Sequence, residues 1–215
     1  VALPDPPICL ITSELATAAQ VISTVEAALA GGIRWIQLRR RHDTGRCLYE
    51  LSLRLKAAAD AYDATLIVND RVDIALACGA GGVHLPASGM APETAARLLE
   101  SARQCGTLVG RSVHSAAEIV DPENRRADYF QFGPVFDTPS KRAFGKAQGL
   151  PALEQAVHTA AGRPLVAVGG IDREEASTVA GTGVAGIAMI GAFANADDPR
   201  HTALDLIASF ASGHA

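Results

Sequence analysis

P-L-V-A-V-G-G-I-D at residues 164–172 and G-I-A-M-I-G-A-F at residues 186–193 share one plan: a short aliphatic run that ends in glycine. Apolar runs of this length, with no polar alternation, read as strands covered on both faces, as in a parallel sheet. Working back towards the N-terminus, the plan recurs at ICLITS (8–13), WIQLRR (35–40), TLIVND (65–70), GVHLP (82–86), LVGRSV (108–113) and YFQFGPV (129–135). Between the runs lie Ala- and Leu-rich stretches with apolar residues at helical spacing, among them 18–30, 48–62 and 92–103, the first closed by Gly31 and Gly32. Strand and helix in strict alternation is the pattern of a parallel α/β fold. Eight such units close a (β/α)₈ TIM barrel, whereas an open doubly wound sheet has fewer strands and a glycine fingerprint after the first, which ICLITSELAT lacks. The expected organisation is therefore one barrel domain over residues 1–215.

Composition agrees and narrows the function classes. The 215 residues are 48% hydrophobic but only 5% aromatic, so Ala, Val, Ile and Leu must fill the interior. A net charge of -4, with no basic block longer than Arg39, Arg40 and Arg41, argues against a nucleic-acid partner. That triplet calls for a local explanation. No apolar stretch approaches the ~18 residues of a membrane span, and VALPDPP has none of the regions of a signal peptide, so a cytoplasmic protein is expected. The first residue is not Met, which leaves a trimmed or longer natural chain open. The four cysteines, Cys9, Cys47, Cys78 and Cys105, lack C-x-x-C spacing and read as reduced residues rather than zinc ligands or a disulfide framework.

In this fold the chemistry sits where the strands end, and polar residues gather there. The glycines of V-G-G-I-D (168–172) and I-G-A-F (190–193) let backbone N–H groups approach an anion, at the two strand ends where barrels commonly hold phosphate; the alternative is that they only permit tight turns. Alternation along Q-L-R-R-R (37–41) turns Gln37, Arg39 and Arg41 to one face, and an inward Arg needs an anion, either a phosphate ester or a structural partner such as Asp70. In N-D-R-V-D (69–73), Asp70 can hold Mg²⁺ against a diphosphate, or Asn69 or Asp70 can simply cap the next helix. The long stretch 138–149, with Thr138, Ser140 and Lys141, reads as a mobile lid that brings a lysine to phosphate, or as a solvated loop. His84 and His114 can act as acid or base, although a hydrogen-bonded structural role is the more usual one.

Taken in order, V-N-D with V-x-I-A-L, G-V-H-L, G-R-S-V-H-S, F-G-P-V-F-D-T-P-S-K and V-G-G-I-D make the chain resemble the thiamine phosphate synthase and thiazole tautomerase family from about Ile8 to Phe193. The synthase branch implies transfer of hydroxymethylpyrimidine from its diphosphate to hydroxyethylthiazole phosphate, with Mg²⁺ as cofactor and release of pyrophosphate. By this resemblance Arg39, Asp70, Ser112 and Lys141 are catalytic and Asp70 is the metal ligand. Gln37, Arg39, Arg41 and Asn69 bind the pyrimidine diphosphate, with Ser112 on its pyrimidine side and Lys141 on the pyrophosphate. Thr138, Ser140, Gly170, Ile190 and Gly191 bind the thiazole phosphate. Arg41 stands where the family usually has Lys, and the second metal-binding Asp of the synthases falls on Gly89. Tautomerases use a His before V-F at the end of the sixth strand, where this chain has Pro134. The alternatives to the synthase are thus a metal-independent tautomerase and a non-catalytic binder of thiazole phosphate. A homodimer stands open beside a monomer.

Overall fold

The eight apolar runs form parallel strands that pair in chain order and close: β1 (Ile8–Ile11), β2 (Trp35–Leu38), β3 (Thr65–Asn69), β4 (Gly82–Leu85), β5 (Leu108–Val113), β6 (Tyr129–Phe132), β7 (Leu165–Val168) and β8 (Gly186–Met189). Closure is made by β1 against β8, with Cys9 opposite Ala188. This computed structural model describes residues 2–102, 106–137 and 147–213, and within them the chain is a single (β/α)₈ barrel.

Most strands end earlier than their apolar runs, because the last residues of each run already belong to the turn at the barrel mouth. The helices α1 (Ala18–Ala30), α2 (Gly45–Asp60), α3 (Val72–Cys78), α4 (Pro92–Ser101), α5 (Ala116–Val120), α6 (Gly149–Ala160), α7 (Arg173–Ala180), α8 (Gly191–Ala194) and α9 (Pro199–Ser212) follow the strands. Their starts are chemically marked. Thr17 and Gln20 form a capping box on α1, Asp172 and Glu175 another on α7, and Asp198 with Pro199 opens α9. No helix among the described residues is long and apolar enough to cross a membrane. Cys9, Cys47 and Cys78 are free thiols, as expected; Cys105 lies outside the described residues.

Strand alternation divides the apolar residues between two cores. Ile8, Leu10, Ile36, Leu38, Leu66 and Val68 face the helices, while Cys9, Ile11, Trp35, Ile67, Leu108, Tyr129, Val166, Val168 and Ala188 fill the barrel. With so few aromatics, two of them carry much of the interior volume: Trp35 and Tyr129 meet edge to face with centroids 5.1 Å apart. Gly110 makes room for this pair. A Cβ there would run into the Tyr129 ring and stand 2.6 Å from His84 Nδ1. Gly110→Ala is therefore expected to lower stability by ~1–3 kcal/mol in urea unfolding through overpacking. Gly79→Ala, whose Cβ would meet nothing within 4 Å, is expected to cost only the ~1 kcal/mol of its left-handed backbone. Equal losses at the two positions would show that the space beside Tyr129 is not limiting.

Candidate active site

The inward residues at the C-terminal strand ends surround a cleft of about 380 Å³. Trp35 faces into the barrel, so Gln37 and Arg39 follow on the same side, and Gln37, Arg39 and Arg41 all line the cleft. Asn69, Ser112 and Ile190 line it as well, together with His84, His114, Gln131, Gly133 and Pro134.

The floor is a chain of amides. Gln131 Nε2 donates to Gln37 Oε1 (2.7 Å), and Gln37 Nε2 donates to Asn69 Oδ1 (3.2 Å), which ties β6, β2 and β3 together across the barrel. Gln37 is 1% exposed, so these bonds satisfy groups that would otherwise be buried without partners. Ser112 is held from behind: its Oγ lies 2.8 Å from His84 Nε2, and His84 Nδ1 lies 3.2 Å from the Tyr129 hydroxyl. Burial raises the Tyr129 pKa well above the ordinary value, which keeps the phenol protonated. His84, itself 1% exposed, thus fits the structural reading. His114 stands at the cleft wall, its Nδ1 2.6 Å from the Gly133 carbonyl oxygen.

The arginines find a partner that sequence reading did not single out. Arg39 Nη1 donates to Glu14 Oε2 (3.0 Å), while Arg41 donates through Nε (2.9 Å to Oε1), Nη2 (2.9 Å to Oε2) and its backbone N–H (3.0 Å to Oε1). The structural alternative of an Arg39–Asp70 pair is thereby replaced by a Glu14 pair. Partial burial of Glu14 favours its neutral form, but the Arg41 hydrogen bonds and the two guanidinium charges outweigh it and hold the carboxyl at about 2.

Asp70 lies one residue beyond Asn69, exposed at the rim rather than on the cleft wall. Its φ of 64° is left-handed, a conformation Asp tolerates better than most residues. It does not cap α3: Arg71 holds that position with no side-chain cap bond. Among the described residues the Asp70 carboxylate makes no hydrogen bond or ion pair, and no group of three or more His, Cys, Asp or Glu is placed to hold a metal. Gly89 is its neighbour, since a Cβ there would lie 2.9 Å from Asp70 Oδ1 and 2.8 Å from the Pro86 ring.

Arg111 was also missed. It is 4% exposed and reaches beneath the loop after β4, with Nη1 donating to the carbonyls of Pro86 (2.9 Å) and Met90 (3.1 Å) and Nη2 to that of Ala87 (2.9 Å). Gly169 and Gly170 follow β7 with φ of 101° and 71°. A Cβ on Gly170 would meet Phe136 Cβ at 2.6 Å, so both backbone conformation and close approach demand glycine. The β7–β8 register, Val168 opposite Ala188, carries Gly170 and Gly191 out at the same end of the barrel, with Ile190 on the cleft wall and both glycines just beyond it. Thr138, Ser140 and Lys141, and most of the expected lid, lie outside the described residues.

Cationic side chains and glycine turns at the C-terminal mouth of a (β/α)₈ barrel are the arrangement that barrel enzymes acting on phosphate esters commonly use. Within that class the comparisons are specific. Residues 8–193 match the family model described as thiamine monophosphate synthase, and the chain belongs to that family. It is 41% identical to the thiamine-phosphate synthase of Archaeoglobus fulgidus over 182 residues, covering 85% of this chain and 83% of the relative. It is 40% identical to that of Chlorobium luteolum over 204 residues, covering 95% and 92%. The solved thiamine phosphate pyrophosphorylase of Pyrococcus furiosus superposes with a TM-score of 0.85 at 33% identity, covering 97% of this chain and 96% of that one.

The Glu14 pairs carry an acid-stability signature. A carboxyl near 4.3 in the unfolded chain and about 2 in the folded one stabilises fully above ~4.3, and the contribution is lost as pH falls towards 2. Urea midpoints measured from pH 6 down to 2 are expected to fall less steeply for Glu14→Gln than for the parent; parallel acid profiles would mean that the pairs do not form in solution.

Proposed function

We propose that this chain makes thiamine phosphate by joining hydroxymethylpyrimidine diphosphate to hydroxyethylthiazole phosphate, and that the cleft described above is where it does so. The bond from the pyrimidine methylene to the diphosphate oxygen breaks, its electron pair leaves with pyrophosphate, and the thiazole ring nitrogen forms the new bond to the methylene carbon. The observation that carries this reading is the pair Arg39 and Arg41 at the cleft wall above the amide floor, in a chain about 40% identical to proteins named as this synthase. Arg39 with Gln37, Asn69 and Lys141 would bind the diphosphate, and Arg41 would add charge beside it. Ser112, its hydroxyl oriented by His84, would contact the pyrimidine. Thr138 and Ser140, with the backbone of Gly170, Ile190 and Gly191, would hold the thiazole phosphate in the position common to such barrels.

Asp70 fits a Mg²⁺ ligand, because its carboxylate is exposed at the rim and makes no hydrogen bond or ion pair among the described residues, although its charge also acts on the neighbouring Arg71. A single carboxylate suits Mg²⁺ that is shared with substrate oxygens and water better than a site built from protein alone. When bound, Mg²⁺ would neutralise charge growing on the departing pyrophosphate.

One observation favours the tautomerase alternative: His114, hydrogen-bonded to Gly133, stands on the cleft wall beside Pro134, near where that chemistry needs a base. One assay separates the two readings. With both synthase substrates, mass detection of thiamine phosphate is expected to show turnover that rises with Mg²⁺ and stops with chelator. Asp70→Ala is expected to raise the half-saturating Mg²⁺ by at least roughly tenfold. Metal-independent conversion of the thiazole carboxylate with no thiamine phosphate formed would refute the synthase reading. At Gly89 the Pro86 ring crowds any side chain, so Gly89→Asp is expected to lower the unfolding midpoint before it can add a second ligand.

A further inference from the structure

The Arg39, Arg40, Arg41 triplet is used in three different ways. Arg40, on the opposite face to its neighbours, donates to the carbonyls of Ser13 (3.2 Å), Glu14 (3.4 Å) and Ala16 and to the Asp43 carboxylate through Nε and Nη2 (3.0 and 3.1 Å). It thereby fixes the backbone of the loop between β1 and α1 from which Glu14 projects. Arg41 commits both its Nε and its Nη2, as well as its backbone N–H, to the Glu14 carboxylate. Arg39 gives Glu14 only Nη1, and its own backbone N–H donates to Thr12 Oγ1 (2.9 Å). Among the described residues the Nε and Nη2 donors of Arg39 carry no hydrogen bond, and the residue lines the cleft.

We propose that Glu14 is a positioning residue of the diphosphate site: braced by Arg41 and by the loop that Arg40 ties down, it fixes the Arg39 guanidinium so that its remaining donors stay turned to the substrate's diphosphate. The inference rests on reading the cleft as that site. A carboxylate beside an anion site ordinarily opposes the anion by Coulomb repulsion, so its removal should tighten binding if charge alone mattered. If Glu14 works by pre-organising Arg39, its removal weakens binding, because the flexible guanidinium must then be ordered by the ligand itself. The two accounts predict opposite signs.

Titration calorimetry with inorganic pyrophosphate on the parent, Glu14→Ala, Glu14→Gln and Arg39→Ala distinguishes them. Glu14→Ala is expected to bind pyrophosphate roughly tenfold more weakly despite its extra net positive charge, with Glu14→Gln, which keeps one acceptor oxygen, in between. In turnover, the KM for the pyrimidine diphosphate should rise while the KM for thiazole phosphate stays at the parent value, a split that general loosening of the fold would not produce. If Glu14→Ala does not fold, the Gln variant alone decides by the same sign. Unchanged or tighter pyrophosphate binding, with Arg39→Ala still weakened, overturns the role of Glu14 and leaves the diphosphate reading in place. No binding by the parent, or no loss in Arg39→Ala, sinks the diphosphate reading and this inference together.

Discussion

Closure of the sheet is the constraint from which the rest follows. Once β1 pairs with β8, no strand has a free edge, and every second side chain is committed to one shared interior. That interior is apolar at mid-barrel, with Trp35 edge-on to Tyr129, and turns polar only in its last layer, where Gln37, Asn69, His84, Ser112 and Gln131 meet. Buried polar groups in such a place must be satisfied within the barrel, His84 by the Tyr129 hydroxyl beneath it and the amides by one another. The amide chain from β6 to β3 does this, and in doing so it makes the floor of the cleft rigid. The polar rim is therefore carried by the same residues that seal the top of the core.

This organisation explains what could be read in the sequence and what could not. The strand order and the two-fold alternation are local properties, so the barrel, its glycine-bearing seventh and eighth turns and the inward set Gln37, Arg39 and Arg41 were legible from spacing alone. Gln131 obeys the same parity two residues after the inward Tyr129, so the signal for it was present in YFQF and passed over. Glu14 and Arg111 are different. Glu14 meets Arg39 across 25 residues of sequence and Arg111 meets Pro86 across the same interval, contacts that exist only after the loops have been brought together by the closed sheet. Nothing in S-E-L-A announces a partner for two arginines. The helix-cap reading of Asp70 failed for a local reason: its left-handed backbone shifts the helix start by one residue, to Arg71.

Charge at the mouth is arranged in two separate balances. Arg39 and Arg41 share the single carboxylate of Glu14, which leaves one positive charge uncompensated at the cleft wall. Asp70 stands at the rim with no ion pair among the described residues. A trianionic diphosphate ester with a divalent cation would meet both groups at once, anion on the guanidinium and cation on the carboxylate. Neither group alone would discriminate such a ligand from an ordinary phosphate ester.

The glycine at position 89 bears on how the chain keeps that rim stable without a ligand. An aspartate there would begin its side chain 2.9 Å from the Asp70 carboxylate oxygen, and two carboxylates so close favour the folded chain only when a cation lies between them or one takes up a proton. With Gly89, Asp70 has no like-charged neighbour on that loop, and the loop is held instead by Arg111 donating to the Pro86, Ala87 and Met90 carbonyls. Gly89 and the buried arginine shape the same loop: one keeps a side chain away from the Asp70 carboxylate, and the other ties the loop's carbonyls to β5. The loop next to Asp70 thus takes its shape from the protein itself, and a cation bound there would depend on the substrate's oxygens more than on the fold.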